Sequence, residues 1–254
     1  MDINDDAKLD TSQVDDQRGR RGVSGGGLAL GGGGIGLILT IVIYLLGGTS
    51  ALDGGTGALD ALQNQTTGGE APADSAIGEN CKTGADAEKR EDCRIVAFVN
   101  SIQAYWTAEY QRRGETYTPI RTTFFAGQVQ TACGAASAEV GPFYCPGDNK
   151  VYIDLAFYRE LQEKFQAPGD FAMAYVIAHE IGHHVQTLLG IMDQTMAQRA
   201  RLSETEFNKY MVCLELQADY LAGVWAHYAA RMNLLEEGDL EEAMNAASAV
   251  GDDR

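Results

Sequence analysis

Glycine is spread so unevenly along this 254-residue chain that only part of it can pack as a core. Eighteen of the 30 glycines precede residue 80, which leaves 30 − 18 = 12 for the rest. Each glycine loses more backbone entropy on ordering than any other residue. The first third therefore cannot supply a globular domain of its own, and the folding unit is expected over residues 81–254, long enough for one core. Within the glycine-rich third, Leu28–Leu46 reads LALGGGGIGLILTIVIYLL, 19 residues without a charge. As a helix this run reaches about 28 Å, close to the hydrocarbon thickness of a bilayer, and glycine is tolerated in membrane helices. A transmembrane helix is expected at 28–46. A cleaved signal peptide competes with it, because Gly48-Thr49-Ser50-Ala51 offers small residues after the run.

Charge gives the run a direction. Arg18, Arg20 and Arg21 precede it, and no Lys or Arg occurs between Leu46 and Lys82. Cytoplasmic flanks carry the basic excess, so residues 1–27 are expected as a cytoplasmic tail and the domain as periplasmic or extracellular. Residues 47–80, with five acids and no base, read as a flexible linker. Across the whole chain 36 acids face 19 bases, a net charge of −17, which argues against nucleic acid as a partner. Cys81 and Cys93 are 12 apart, as are Cys133 and Cys145. Beyond a membrane two short-loop disulfides follow from that usage. Cys213 is the odd one and is expected to be a small buried apolar residue.

The elements are legible by pattern. Arg94–Arg113 places Ile95, Phe98, Val99, Ile102, Tyr105 and Trp106 at helical spacing before Gly114. Thr116–Phe125 suggests a strand around Pro119, and residues 142–153 a β-hairpin about Pro146-Gly147-Asp148-Asn149. Leu155–Phe165 and Asp170–Leu189 read as helices, and Ser203-Glu204-Thr205-Glu206 is a capping box opening a long helix to about Met232. A last short helix opens at Asp239–Glu242. The expected class is α+β, mostly helical with a small sheet.

Three of the four histidines lie within six residues, in Ala178-His179-Glu180-Ile181-Gly182-His183-His184. H-E-x-x-H on a helix puts His179 and His183 on one face, able to hold one metal ion, with Glu180 within reach of a water on it. A third ligand is needed. A Gly at 186 and a His at 189 would make a metzincin; the chain has Gln186 and Leu189. The remaining candidate is Glu215, with Asp219 one turn later on the same face of the capped helix. Peptidases with a glutamate zinc ligand use this E-x-x-x-D arrangement, the Asp accepting the N–H of a ligand histidine. Two His, one Glu and an open position make a catalytic site for one Zn²⁺, and Glu180 is expected as general base. Tyr220, His227, His184 and Tyr152 are candidates to contact an oxyanion or substrate, each with a structural role as the competing reading.

These motifs together resemble the bacterial neutral zinc metallopeptidases. The likeness also runs through Val14-Asp15-Asp16-Gln17-Arg18-Gly19, Cys133-Gly134, Gly141–Pro146, Val151–Asp154 and Gly223–Ala226. It implies zinc peptidase activity on peptides or proteins, a zincin-like domain, His179, His183 and Glu215 as ligands, and Glu180 as catalyst. It also implies a further segment rich in Thr, His, Gly and Arg beyond Arg254. A non-catalytic, membrane-anchored zinc scaffold is the reading from another class. The sequence leaves the oligomeric state open.

Overall fold

The computed structural model describes residues 1–19, 74–163 and 169–250. The expected membrane helix at 28–46 and most of the linker lie outside the described residues. Among those described, no helix is long and apolar enough to cross a membrane.

The architecture is mixed, helical with two small sheets. After a 3-10 turn at Thr11–Gln13 comes β1 (Val14–Asp16), then α1 (Asp74–Asn80), α2 (Gly84–Ala87) and α3 (Glu91–Arg112). Next are β2 (Arg121–Phe125), β3 (Gln128–Thr131), β4 (Gly134–Ser137), β5 (Phe143–Cys145) and β6 (Lys150–Asp154). Five helices follow: α4 (Ala156–Glu163), α5 (Asp170–Leu188), α6 (Ile191–Met196), α7 (Glu204–Arg231) and α8 (Asp239–Val250). One sheet has the order β1-β2-β6-β5, with β1/β2 and β2/β6 parallel and β5/β6 antiparallel; β3 and β4 pair separately.

The expected helices and hairpin are present with shifted ends. The strand expected from Thr116 starts only at Arg121, because Pro119 has no N–H for a ladder. The hairpin turn ends on Asn149 at φ 54°, a left-handed position that asparagine tolerates. The capping box at Ser203 forms as read: Ser203 N–H donates to Glu206 Oε2 at 3.1 Å and Glu206 N–H to Ser203 Oγ at 3.4 Å.

The largest difference lies at the amino terminus. Residues 1–27 read as a tail apart from the domain, whereas residues 1–19 pack into it: Met1, Ile3 and Val14 are buried, and β1 extends the sheet. The pattern gave no warning, since a three-residue strand is too short to show a period. The Met1 amino group lies 2.7 Å from Asp170, 2.9 Å from Glu236 and 3.4 Å from Asp239. Burial pulls its pKa down, but bonds to Asp170 and Glu236 outweigh that and hold it at about 10.

The core is built around α5. Phe171, Ala172, Met173, Ala174, Ile177 and Ile181 are fully enclosed, and Phe171 stacks on Trp225 of α7 with ring centroids 5.8 Å apart. Such a helix, apolar nearly all round, is stable only when covered on every side. It packs against α3, α7, α8 and β5.

Both expected disulfides are present, Cys81–Cys93 and Cys133–Cys145. Cys213 is corrected: it is exposed on α7, not buried, because the helix turns its apolar side at Leu214 and Ala218 inward instead. Native protein should therefore label at one thiol without reductant and at all five cysteines after reduction and unfolding, read by mass spectrometry; two or more labelled thiols before reduction would contradict the pairing. Replacing Cys133 and Cys145 by serine should cost about 2–4 kcal/mol in denaturant unfolding.

Candidate metal centre

Two helices bring the site together. α5 carries His179, Glu180 and His183; α7 carries Glu215 and Asp219. They approach closely at Gly182, where a Cβ would sit 3.1 Å from the Ala218 carbonyl oxygen and 3.3 Å from its Cα. Both distances are below ordinary contact, so glycine at one of the two unspecified positions of H-E-x-x-H sets the helix separation.

At that separation three ligand atoms converge. His179 Nε2 lies 3.1 Å and His183 Nε2 3.3 Å from Glu215 Oε2, and the two Nε2 atoms are 3.2 Å apart. A tetrahedral zinc with bonds of about 2.0–2.1 Å sets its ligands about 3.3–3.4 Å apart, so these residues fit that ion. The three residues form one of the groups able to hold a metal among the described residues. Another, Asp170, Asp239 and Glu242, includes two carboxylates that already face the Met1 amino group.

The ring tautomers follow from what lies behind each histidine. His179 Nδ1 is 2.7 Å from Asp219 Oδ1, a carboxylate that can only accept. His183 Nδ1 is 2.9 Å from Gln186 Oε1. The amide of Gln186 cannot be turned round, because its Nε2 donates to the Leu214 carbonyl at 2.7 Å and to Gln217 Oε1 at 3.1 Å. Both Nδ1 atoms therefore carry hydrogen in the neutral rings, and both Nε2 lone pairs point at one spot beside a carboxylate. Such convergence is repulsive without a cation between them.

Glu180 is buried, and burial raises its pKa. The backbone N–H of Tyr144 on β5 favours its charged form, a smaller effect than burial, while Oε2 is buried with no partner. Glu215 Oε1 is buried and unpartnered as well. Burial pushes the Glu215 carboxyl up, but the His183 and His179 charges outweigh it and hold the group far below its usual range. Without a metal, burial pulls His179 down, yet its bonds to Asp219 and Glu215 raise it to about 10. The site opens on one side: the His183 side chain is 3% exposed, His179 17% and Asp219 39%.

The four remaining sequence candidates lie elsewhere. Tyr220 and His227 line a groove of about 610 Å³ between α3 and α7, with Tyr105, Glu109, Tyr228 and Arg231. His184 is buried, its Nε2 2.8 Å from the Thr118 carbonyl. Tyr152 donates to Asp148 Oδ2 at 2.7 Å and stacks on Phe143. Spacing could not separate these from the site, since each is a polar aromatic or histidine on an otherwise apolar element.

Two residues that hold the site were not singled out by pattern. Tyr175, one turn before His179, donates to Asp219 Oδ1 and so orients the carboxylate that orients the ring. Gln186, which served only to exclude the metzincin pattern, secures His183 instead. An i−4 and an i+3 polar partner flanking the two histidines is a signal the sequence did contain.

Gln186→Leu should lower zinc affinity about 10- to 100-fold while the domain stays folded, measured by competition with a fluorescent chelator; unchanged affinity would remove the role. In the metal-free protein the His179 contribution to stability should be full below about pH 6.5 and lost as pH rises through about 10. The unfolding midpoint should fall over that range without zinc and hold steadier with it; a flat metal-free profile would contradict the assignment.

A family model described as "Putative neutral zinc metallopeptidase" matches residues 5–254. The uncharacterized protein YpfJ of Escherichia coli K12 is 39% identical over 251 residues, covering 97% of this chain and 83% of that relative. The uncharacterized protein Rv2575 of Mycobacterium tuberculosis is 44% identical over 187 residues, 68% of this chain and 60% of that relative. No solved structure matches the chain.

Proposed function

Because the chain belongs to the neutral zinc metallopeptidase family, we propose that it is a zinc-dependent peptidase holding one ion on His179, His183 and Glu215. The observation that carries this reading is the meeting of three ligand atoms within 3.3 Å beside a buried carboxylate oxygen that nothing pairs. A zinc ion there supplies Lewis acidity, lowering the pKa of a water and polarising a carbonyl.

The residues of the chain do the rest. Asp219 and Gln186 keep both imidazoles presenting Nε2. Glu180, made more basic by burial, takes the proton of the attacking water and delivers it to the leaving amine. A metal kept for stability alone would give no use to the unpaired oxygen of Glu180, which disfavours the scaffold reading. The apolar run at 28–46 and the two disulfides support a peptidase that works at a membrane, its domain in an oxidising compartment.

Glu180→Gln should retain zinc and the fold but cleave peptides roughly 10²- to 10⁴-fold more slowly, measured on a peptide library with zinc content determined alongside. A wild-type protein that binds no zinc would refute the site. Equal cleavage by the variant would refute the role of Glu180.

A further inference from the structure

An exposed stripe on α7 starts beside the metal ligands and runs away from them. Leu216 directly follows Glu215 and is 61% exposed; Tyr220 directly follows Asp219 and is 69% exposed. Gly223, His227 and Arg231 continue the stripe and are exposed as well. Steps of four, three, four and four residues keep these positions on one side of the helix. Large apolar side chains left open in a row beside a reaction centre mark a surface that another molecule covers.

From Tyr220 onward the stripe becomes one wall of the groove of about 610 Å³ between α3 and α7. The two walls join where Tyr105 of α3 meets Tyr228 of α7, ring centroids 5.0 Å apart. Trp225 ties the helices together by donating from Nε1 to Ser101 Oγ at 3.3 Å. Gly223 lies in the groove wall, inside a helix of 28 residues. Glycine in a helix interior is destabilising relative to alanine. At Gly182 a close neighbour demands it, whereas a Cβ at Gly223 would meet nothing within 4 Å. No contact among the described residues accounts for this glycine, and the space it leaves belongs to the groove.

The lining has an apolar part and a cationic part. Tyr105, Tyr220, Tyr228 and Val224 offer rings and methyl groups. Among the described residues, Glu109 is the only acid that lines the groove. It is already engaged: Arg112 Nη2 and Arg113 Nε each lie 2.7 Å from its Oε1. Arg231 lines the far end, exposed and without an ion pair among the described residues. In a chain of net charge −17, an arginine left open beside aromatic rings is suited to a carboxylate brought by another chain.

Lengths along α7 set a register. Gly223 lies 223 − 215 = 8 residues past Glu215, and Arg231 lies 231 − 215 = 16 past it. At about 1.5 Å per helical residue these are about 12 and 24 Å along the axis. An extended peptide, at about 3.3 Å per residue, covers them in about four and seven residues. We infer, resting on the peptidase reading, that this groove binds the substrate polypeptide, with an aromatic or large aliphatic side chain beside Gly223 and an acidic side chain at Arg231. The substrate is then a polypeptide with the apolar residue about four positions from the cleaved bond and the acid about four positions further on.

The test uses the full chain and labelled peptides of Gly, Ala and Ser, amidated so that no terminal carboxylate competes. One peptide carries phenylalanine with glutamate four positions later, and a second has the reverse order. By fluorescence anisotropy one order should bind roughly tenfold more tightly than its counterparts with serine for phenylalanine or glutamine for glutamate. Gly223→Trp, which fills the groove, and Arg231→Gln, which removes its cation, should each weaken that binding about tenfold, with helix content by circular dichroism retained. In a peptide library the wild-type cut sites should carry the pair at this spacing, and both variants should raise KM for those substrates. Peptides that bind no better than their counterparts in either order, or undiminished binding by both variants, would overturn the inference. A dimer lost in Gly223→Trp, seen by sedimentation, would overturn it in favour of a second copy of the chain. Groove-dependent binding without cleavage would remove the peptidase reading and keep the groove as a polypeptide site; cleavage blind to the pair would remove the groove and keep the peptidase.

Discussion

The separation of α5 and α7 at Gly182 and Ala218 is the constraint on which the site depends. Ligands from different helices meet only if the helix axes are fixed to a fraction of an ångström, and the backbone contact at Gly182 fixes them. Everything polar in the centre is then a consequence. His179 and His183 reach Glu215, Asp219 reaches back to His179, and Gln186 reaches across to the carbonyl that precedes Glu215. The interior that surrounds them, with Phe171, Trp225, Ile177 and Ile181, holds that spacing without contributing a ligand.

The centre is also frustrated by its own charges. Two imidazole lone pairs and a carboxylate share a pocket that water hardly reaches, and one oxygen on each of Glu180 and Glu215 has no partner. Proteins seldom leave such groups unpaired. Metal-free, the chain answers by keeping a proton on His179, whose pKa rises to about 10. A metal ion and that proton would compete for the same lone pair, and the acceptors behind each ring would favour the metal by holding Nε2 forward.

What the sequence disclosed follows from how local each signal is. H-E-x-x-H and E-x-x-x-D are one-turn patterns, so the three residues whose atoms converge, the neighbouring Glu180 and the carboxylate behind His179 are readable from spacing. The capping box at Ser203 and the hairpin about Asn149 are equally local. Gln186 and Tyr175 escape such a reading because their roles appear only when α7 lies beside α5. β1 escapes it for a different reason: three residues pair with a strand more than a hundred positions away, and no periodicity reports such a partner. Cys213 misleads because cysteine is usually buried, whereas the side of α7 it occupies faces outward.

The carboxylate of Glu180 is influenced from outside its own helix, since the Tyr144 N–H of β5 favours its charged form. That strand, β5, is short, but it carries Cys145, bonded to Cys133 before β4, and its Tyr144 hydroxyl meets Asn149 and Thr187 at 2.8 and 3.0 Å. A covalent staple thus stands one residue from Tyr144. The strand beside Glu180 is thereby tied down covalently as well as by hydrogen bonds.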